Sequence, residues 1–210
     1  MNYIKLKVYF DTKLQTNNIW SRSNFTVSRG RIKQNIYHAN FSSHLTYGSQ
    51  IWTQRLLSVS DKVTILQNSA VRIMKFSDFR SHTAPLFKEL KILKFSDNIV
   101  LKNCMFVYDY LCGNLPKSFD GVFTSISETH SFNTCSAMTG MLVIPRSKGM
   151  SYGVKSIYSN CINSWNLLTL ELNNQQKRKT PTKYIEFDLK SFTKSRLKDI
   201  ITNYLFSSNQ

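Results

Sequence analysis

The sequence predicts a mainly α fold: a helical bundle up to about Phe119, followed by a smaller, loop-rich α or α+β C-terminal unit. Three observations predict it. Apolar residues recur every three or four positions along several stretches, which places them on one side of a helix. Start and stop residues bracket those stretches, among them Ser60, Pro85, Gly48 and Gly113. Hydrophobic residues make up 41% and aromatics 13% of the 210 residues, enough apolar side chain to bury a core.

Taken in order, residues 1–27 form a poorly defined N-terminal segment. Ile4, Leu6, Val8 and Phe10 alternate with Lys5 and Lys7 there, a strand-like period. A helix is expected from near Ser28 to Tyr47, with Ile32, Ile36, Tyr37, Phe41 and Leu45 on one side and Gly48 as its breaker. Ser60 is the expected N-cap of the next helix, with Asp61 in the positive first turn and Val63, Leu66, Ala70, Ile73 and Met74 as its apolar stripe. Pro85 opens a short helix, where its missing N–H is harmless. Ser96 and Asp97 open the longest helical pattern, Val100, Cys104, Val107 and Leu111, which Gly113 and Pro116 end.

The helical unit thus covers residues 28–119. Residues 120–150 read as loop and linker, with one candidate strand at 141–144. The C-terminal helical unit covers 151–210. Tyr158, Cys161, Ile162, Trp165 and Leu168 share a helix face in it, and Trp165 reads as core. Residues 173–183 read as an exposed basic linker. Leu189, Phe192, Leu197, Ile200 and Tyr204 mark a last helix.

Charge is the strongest compositional signal. The formal net charge is +16 and the isoelectric point about 9.8. Positive residues run along the whole chain and not in one tail, so the field favours polyanions. The four cysteines form no Cys-x-x-Cys pair, which argues against a zinc site and a disulfide framework and fits a reducing, intracellular setting. Cys104 and Cys112 should pack as small hydrophobes. No apolar run reaches the roughly 20 residues of a membrane span, and no signal peptide is visible. Nucleus and cytoplasm are not distinguished.

Catalytic patterns are weak. A two-metal polymerase site needs converging carboxylates, and the twelve acidic residues stand apart in sequence, with Asp109 between two tyrosines on a helix. His38, His44, His82 and His130 lack metal-ligand spacing and read as partly buried, hydrogen-bonding side chains. No phosphate-binding glycine loop or nucleophile elbow occurs. The expectation is no metal site, no catalytic residue and no cofactor.

A series of blocks in fixed order carries more information. They are Tyr37-His38-Ala39-Asn40-Phe41-Ser42-Ser43-His44-Leu45-Thr46-Tyr47-Gly48, then Leu66-Gln67-Asn68-Ser69-Ala70-Val71-Arg72-Ile73. His82-Thr83-Ala84-Pro85-Leu86-Phe87-Lys88-Glu89-Leu90-Lys91-Ile92-Leu93 follows, then His130-Ser131-Phe132-Asn133-Thr134 and Tyr152-Gly153-Val154-Lys155-Ser156-Ile157. Pro145-Arg146, Trp165-Asn166 and Leu197-Lys198 extend the set. Together they resemble the region after the catalytic palm in reverse transcriptases of non-LTR, jockey-like retrotransposons. The chain departs from that pattern at Cys135, at Asn160 or Cys161, and at Leu168-Thr169.

The resemblance implies a thumb-like helical unit and an accessory tail, with the RNA-directed DNA polymerase site upstream, so that a separate palm and fingers segment becomes a candidate partner. A thumb grips the backbone of RNA or an RNA–DNA duplex through sequence-independent phosphate contacts. One candidate patch is Arg29, Arg31 and Lys33 with Arg72, Lys75 and Arg80. A second is Arg146, Lys148, Lys155, Lys177, Arg178 and Lys179. Tyr152 is a further candidate for base stacking. Two other classes compete: a helical protein–protein interaction module whose charge serves solubility, and a decayed, non-functional remnant of a mobile element, which the departures would suit.

Overall fold

A computed structural model of the chain describes residues 30–52, 57–129, 140–146, 156–179 and 192–208. Helix dominates the described residues, and no strand or sheet occurs among them. The fold is mainly α, as its periodicity predicts.

The helices are α1 (Gly30–Tyr37), continued by a π-helical turn (His38–Ser42) into α2 (Ser43–Thr46), then α3 (Ser49–Trp52) and α4 (Leu57–Lys75). Next come α5 (Ala84–Leu90), α6 (Phe95–Leu111), a 3-10 turn (Lys117–Phe119), α7 (Ile126–Thr129), α8 (Ile157–Lys179) and α9 (Lys194–Ser208). The chain divides into two compact units. The first holds residues 1–47 and 61–94, the second residues 48–60 and 95–210. Sequence reading drew its boundary at 120–150 instead. The difference lies in α6, which packs against α8 and α9 and so sides with the C-terminal helices. Periodicity shows that a helix has an apolar face, not which helix covers it.

In the first unit Tyr37, Phe41 and Leu45 are all buried. They recur every fourth residue. Four residues turn an α-helix through about 400°, so that spacing drifts about 40° per step. The wider π turn between them takes up the drift and keeps all three inward. The buried apolar residues of α4 in this unit are Val63, Ala70, Val71 and Met74, and those of the following segment include Phe87 and Ile92. One polar side chain is buried among them. Gln67 Nε2 donates to the Tyr37 hydroxyl at 2.9 Å and to the Leu93 carbonyl at 3.0 Å, so both its N–H donors are used. Burial pushes the Tyr37 phenol up to about 12, and the hydrogen bond from Gln67 offsets part of that rise.

The second unit is built on α6 and α8. Leu101, Cys104 and Val107 of α6 face the same core as Cys161, Ile162, Trp165, Leu168 and Leu172 of α8, and α9 adds Leu197, Ile201 and Leu205. A second buried amide sits here. Asn103 Nδ2 donates to Ser164 Oγ at 3.2 Å, and its Oδ1 accepts from Gln50 of α3 at 3.1 Å. Two residues further along α8 the Asn166 side chain pairs with the Leu142 backbone in both directions, at 2.9 and 2.8 Å. Trp165 Nε1 donates to the Gly140 carbonyl at 3.2 Å. The Trp165-Asn166 block therefore acts as a clamp on residues 140–142.

Several sequence expectations need correction. Ser60 and Asp61 lie inside α4, which starts a turn earlier at Leu57, so neither caps it. The longest described helix is α8 and not α6. It runs through Lys177, Arg178 and Lys179, so these close a helix instead of forming a linker. Residues 141–144 make only a single antiparallel bridge, Leu142 to Ser125. Tyr158 shares the face of Cys161, Ile162, Trp165 and Leu168 but lies in the first turn of α8, where it stays 38% exposed with its ring edge-on to Phe123. In α9 the buried residues are Leu197, as expected, with Ile201 and Leu205, whereas Ile200 and Tyr204 stand a position off that face. Cys112 is exposed at the end of α6, unlike Cys104. His38, His44 and His82 are exposed, while His130 lies outside the described residues, as do residues 1–27.

Candidate nucleic-acid interface

Three basic residues of the first unit, Arg72, Lys75 and Arg80, lie at or just beyond one helix end. Arg72 and Lys75 occupy the last turn of α4, where the exposed carbonyls favour cations. The chain then leaves the helix by a specific route. The Phe76 N–H donates to Ile73 O at 3.2 Å and the Ser77 N–H to Arg72 O at 3.0 Å, the paired bonds of a Schellman ending. Phe76 takes the left-handed position of that motif, with φ 53. A tight turn over Asp78–Ser81 follows, closed by Ser81 N to Asp78 O at 3.0 Å.

Arg72 is folded back over this turn. Its Nε donates to the Ser81 carbonyl at 3.0 Å, and its guanidinium carbon lies 6.0 Å from the centroid of the Phe79 ring. That is the outer limit of a cation–π contact. Arg80 is exposed in the same turn. Lys75 is committed differently, because it pairs with Glu89 of α5. Both partners are partly solvated, so that pair adds little stability but lowers the charge Lys75 offers an anion.

Arg31 and Lys33 lie on the first turns of α1, and Arg29 lies outside the described residues. In the second unit Arg146 is exposed, Lys177, Arg178 and Lys179 form the last turn of α8, and Lys148 and Lys155 lie outside the described residues, as does Tyr152. The structure therefore brings Arg72, Lys75 and Arg80 together, and puts the second candidate patch on another unit.

Two aromatic side chains escaped the sequence reading. Phe79 is 77% exposed and Phe76 is 46% exposed. Their signal was available: neither continues the stripe of α4, and each is flanked by a basic residue in Lys75-Phe76-Ser77-Asp78-Phe79-Arg80. Trp165, by contrast, is fully enclosed, as its helical spacing predicts.

Two cysteines are buried in the second unit. Burial raises the Cys104 thiol strongly, with Cys161 adding to the effect, and pushes Cys161 up to about 12. A thiol held protonated is a poor nucleophile. Asp109 accepts two hydrogen bonds from Lys194 Nζ, at 2.8 and 2.7 Å, which ties α9 to α6. Among the described residues no group of three or more His, Cys, Asp or Glu is placed to hold a metal ion, and no helix is long and apolar enough to cross a membrane.

No family model, no curated protein and no solved structure matches this chain.

Proposed function

We propose that this chain is a catalytically silent helical protein that holds nucleic-acid backbone without sequence preference, of the kind that follows the palm in non-LTR retrotransposon reverse transcriptases. The observation that carries the reading is a net charge of +16 combined with Arg72 and Arg80 gathered at one helix end. Backbone recognition needs cations on rigid supports and no base-reading geometry, because the phosphates repeat regardless of sequence. The last turn of α4 is such a support. The ordered blocks from Tyr37 to Leu205 supply the link to that family, and a separate palm and fingers segment is the corresponding protein partner.

Titration with a 20-base-pair RNA–DNA duplex at two salt concentrations tests the proposal. Affinity should fall by roughly 0.7 to 0.9 log units per tenfold rise in salt for each phosphate engaged. Absence of binding at low salt eliminates the reading. Primer extension with magnesium should give no product, and measurable synthesis would overturn the claim of catalytic silence.

A second reading has one observation in its favour. Leu167 and Leu170 are exposed three residues apart on α8, a spacing suited to a partner helix. Concentration-dependent self-association that a Leu167→Ser, Leu170→Ser double variant abolishes would move the weight to a protein–protein module.

A further inference from the structure

We infer that Phe79, with Phe76, Arg72 and Arg80, forms a stacking site for unpaired bases of single-stranded nucleic acid. The inference rests on the nucleic-acid reading above and narrows it, since backbone grip alone needs no aromatic side chain.

Three independent observations meet at this turn. The first is exposure. A phenylalanine ring 77% open to solvent forgoes the burial that normally stabilises it, and a second ring is almost half open three residues away. The second is strain. Phe76 sits at φ 53, a region that bulky side chains rarely enter. Glycine would fill that position without steric conflict, so a phenylalanine there carries a backbone strain that its ring must offset. The third is the company the rings keep. Arg72 is pinned by the Ser81 carbonyl with its guanidinium near the Phe79 ring, and Arg80 adjoins Phe79 in the exposed turn.

An aromatic face beside cations suits a flexible polyanion with flat apolar bases. Every base has a π face, so stacking tolerates any sequence, while the guanidinium groups answer the phosphates. A paired duplex cannot use the rings, because its bases already stack on each other. An acidic partner protein would use the arginines but has no general need of exposed phenylalanines. Asp78 lies within the turn, and its carboxylate accepts the Phe79 N–H at 2.7 Å. That bond holds the turn that presents the ring, and its negative charge sets a limit on the affinity of the patch.

The test compares labelled 20-mers of oligo(dT) and oligo(U) with a 20-base-pair RNA–DNA duplex by fluorescence anisotropy, using the full chain. Phe79→Ala should weaken single-strand binding by about 5- to 150-fold, the range for losing one stacked base, with no change in duplex affinity. Phe79→Trp should restore it. Circular dichroism of each variant controls for folding, and the exposed ring makes a fold change unexpected. Equal single-strand affinity for Phe79→Ala and the parent, with duplex binding present, overturns the stacking site and leaves the backbone reading standing. Parallel losses on single strand and duplex also overturn it, because the ring would then serve general backbone binding. A parent that binds no nucleic acid at low salt sinks both.

Discussion

The two units end their helices with the same motif but not with the same residue. In the second unit α6 closes with Gly113 N to Tyr110 O and Asn114 N to Asp109 O, and glycine holds the left-handed position at φ 70. In the first unit α4 closes through Phe76, and α5 closes through Lys91 at φ 52, with Lys91 N bonded to Lys88 O and Ile92 N to Phe87 O. The bonds match; the steric strain does not. For Lys91 the surroundings explain the tolerance. Ile92 and Phe87 are both buried, and Gln34 donates to the Leu90 carbonyl at 2.9 Å, so tertiary contacts over-determine the turn. For Phe76 the following residue is Ser77, and the ring stays half exposed. The lesson is that one local motif can be held by sequence in one place and by packing in another. Where neither explanation is complete, the side chain itself is the feature to test.

The largest effect that probes this comparison is on the second core. Trp165→Ala removes a fully enclosed indole and its bond to the Gly140 carbonyl, and should lower stability by about 3 to 5 kcal/mol in urea denaturation. Hydrogen exchange sharpens the result. Amides of α6 and α8 should lose protection, while those in the α4 stretch from Asp61 to Lys75 retain theirs. Equal loss in both units would mean that they unfold as one cooperative block.

Alkaline pH separates the units with a smaller effect. Tyr37 in the first unit titrates near 10 when unfolded and about 12 when folded, so the folded chain keeps a proton that the unfolded chain releases. Its contribution is complete below pH 10 and disappears as pH rises through 12, a loss of about 2 to 3 kcal/mol. In the second unit Cys161 rises from 9.0 to about 12, so its loss begins a full unit lower. Urea midpoints measured from pH 7 to 11 should therefore start to fall above pH 9. Cys104, raised from the same 9.0, keeps the onset near pH 9, so Cys161→Ala should reduce the size of the fall, and an undiminished fall would remove Cys161 from the account.

The smallest effects address the helix ends directly. Gly113→Ala introduces a Cβ at φ 70 and should destabilise by about 1 kcal/mol, although no neighbour lies within 4 Å of the added atom. Lys91→Gly relieves strain of about 1 to 2 kcal/mol but frees the unfolded chain by about 0.4 to 1, leaving a gain of about 1 kcal/mol or less. Both appear as shifts in Tm. A loss on Lys91→Gly would show that the lysine side chain contributes to the turn.

Much of this fold was legible. Tyr37, Phe41 and Leu45, the Val63, Ala70 and Met74 part of the α4 stripe, Gly113 as a stop, and the enclosure of Trp165 all follow from spacing, whereas Leu66 and Ile73 are only half-buried and Gln67 and Val71 are buried in their stead. The candidate interface was legible in part: Arg72, Lys75 and Arg80 stand out as a basic cluster, but nothing in the sequence shows that Glu89 takes up Lys75 or that Ser81 anchors Arg72. Phe76 and Phe79 were overlooked for the same reason. An aromatic residue outside a stripe can be core or surface, and only its neighbours decide.

By itself the sequence determined a chain of helices with a strong positive charge, because helix period, stop residues and ionisation are properties of short segments. The tertiary structure decided that α6 belongs with α8 and α9, that Gln67 and Asn103 become buried hydrogen-bonding centres, and that Phe79 stays exposed beside Arg72 with Phe76 half exposed in the same turn region. These outcomes depend on side chains tens of residues apart in sequence, so no local pattern records them.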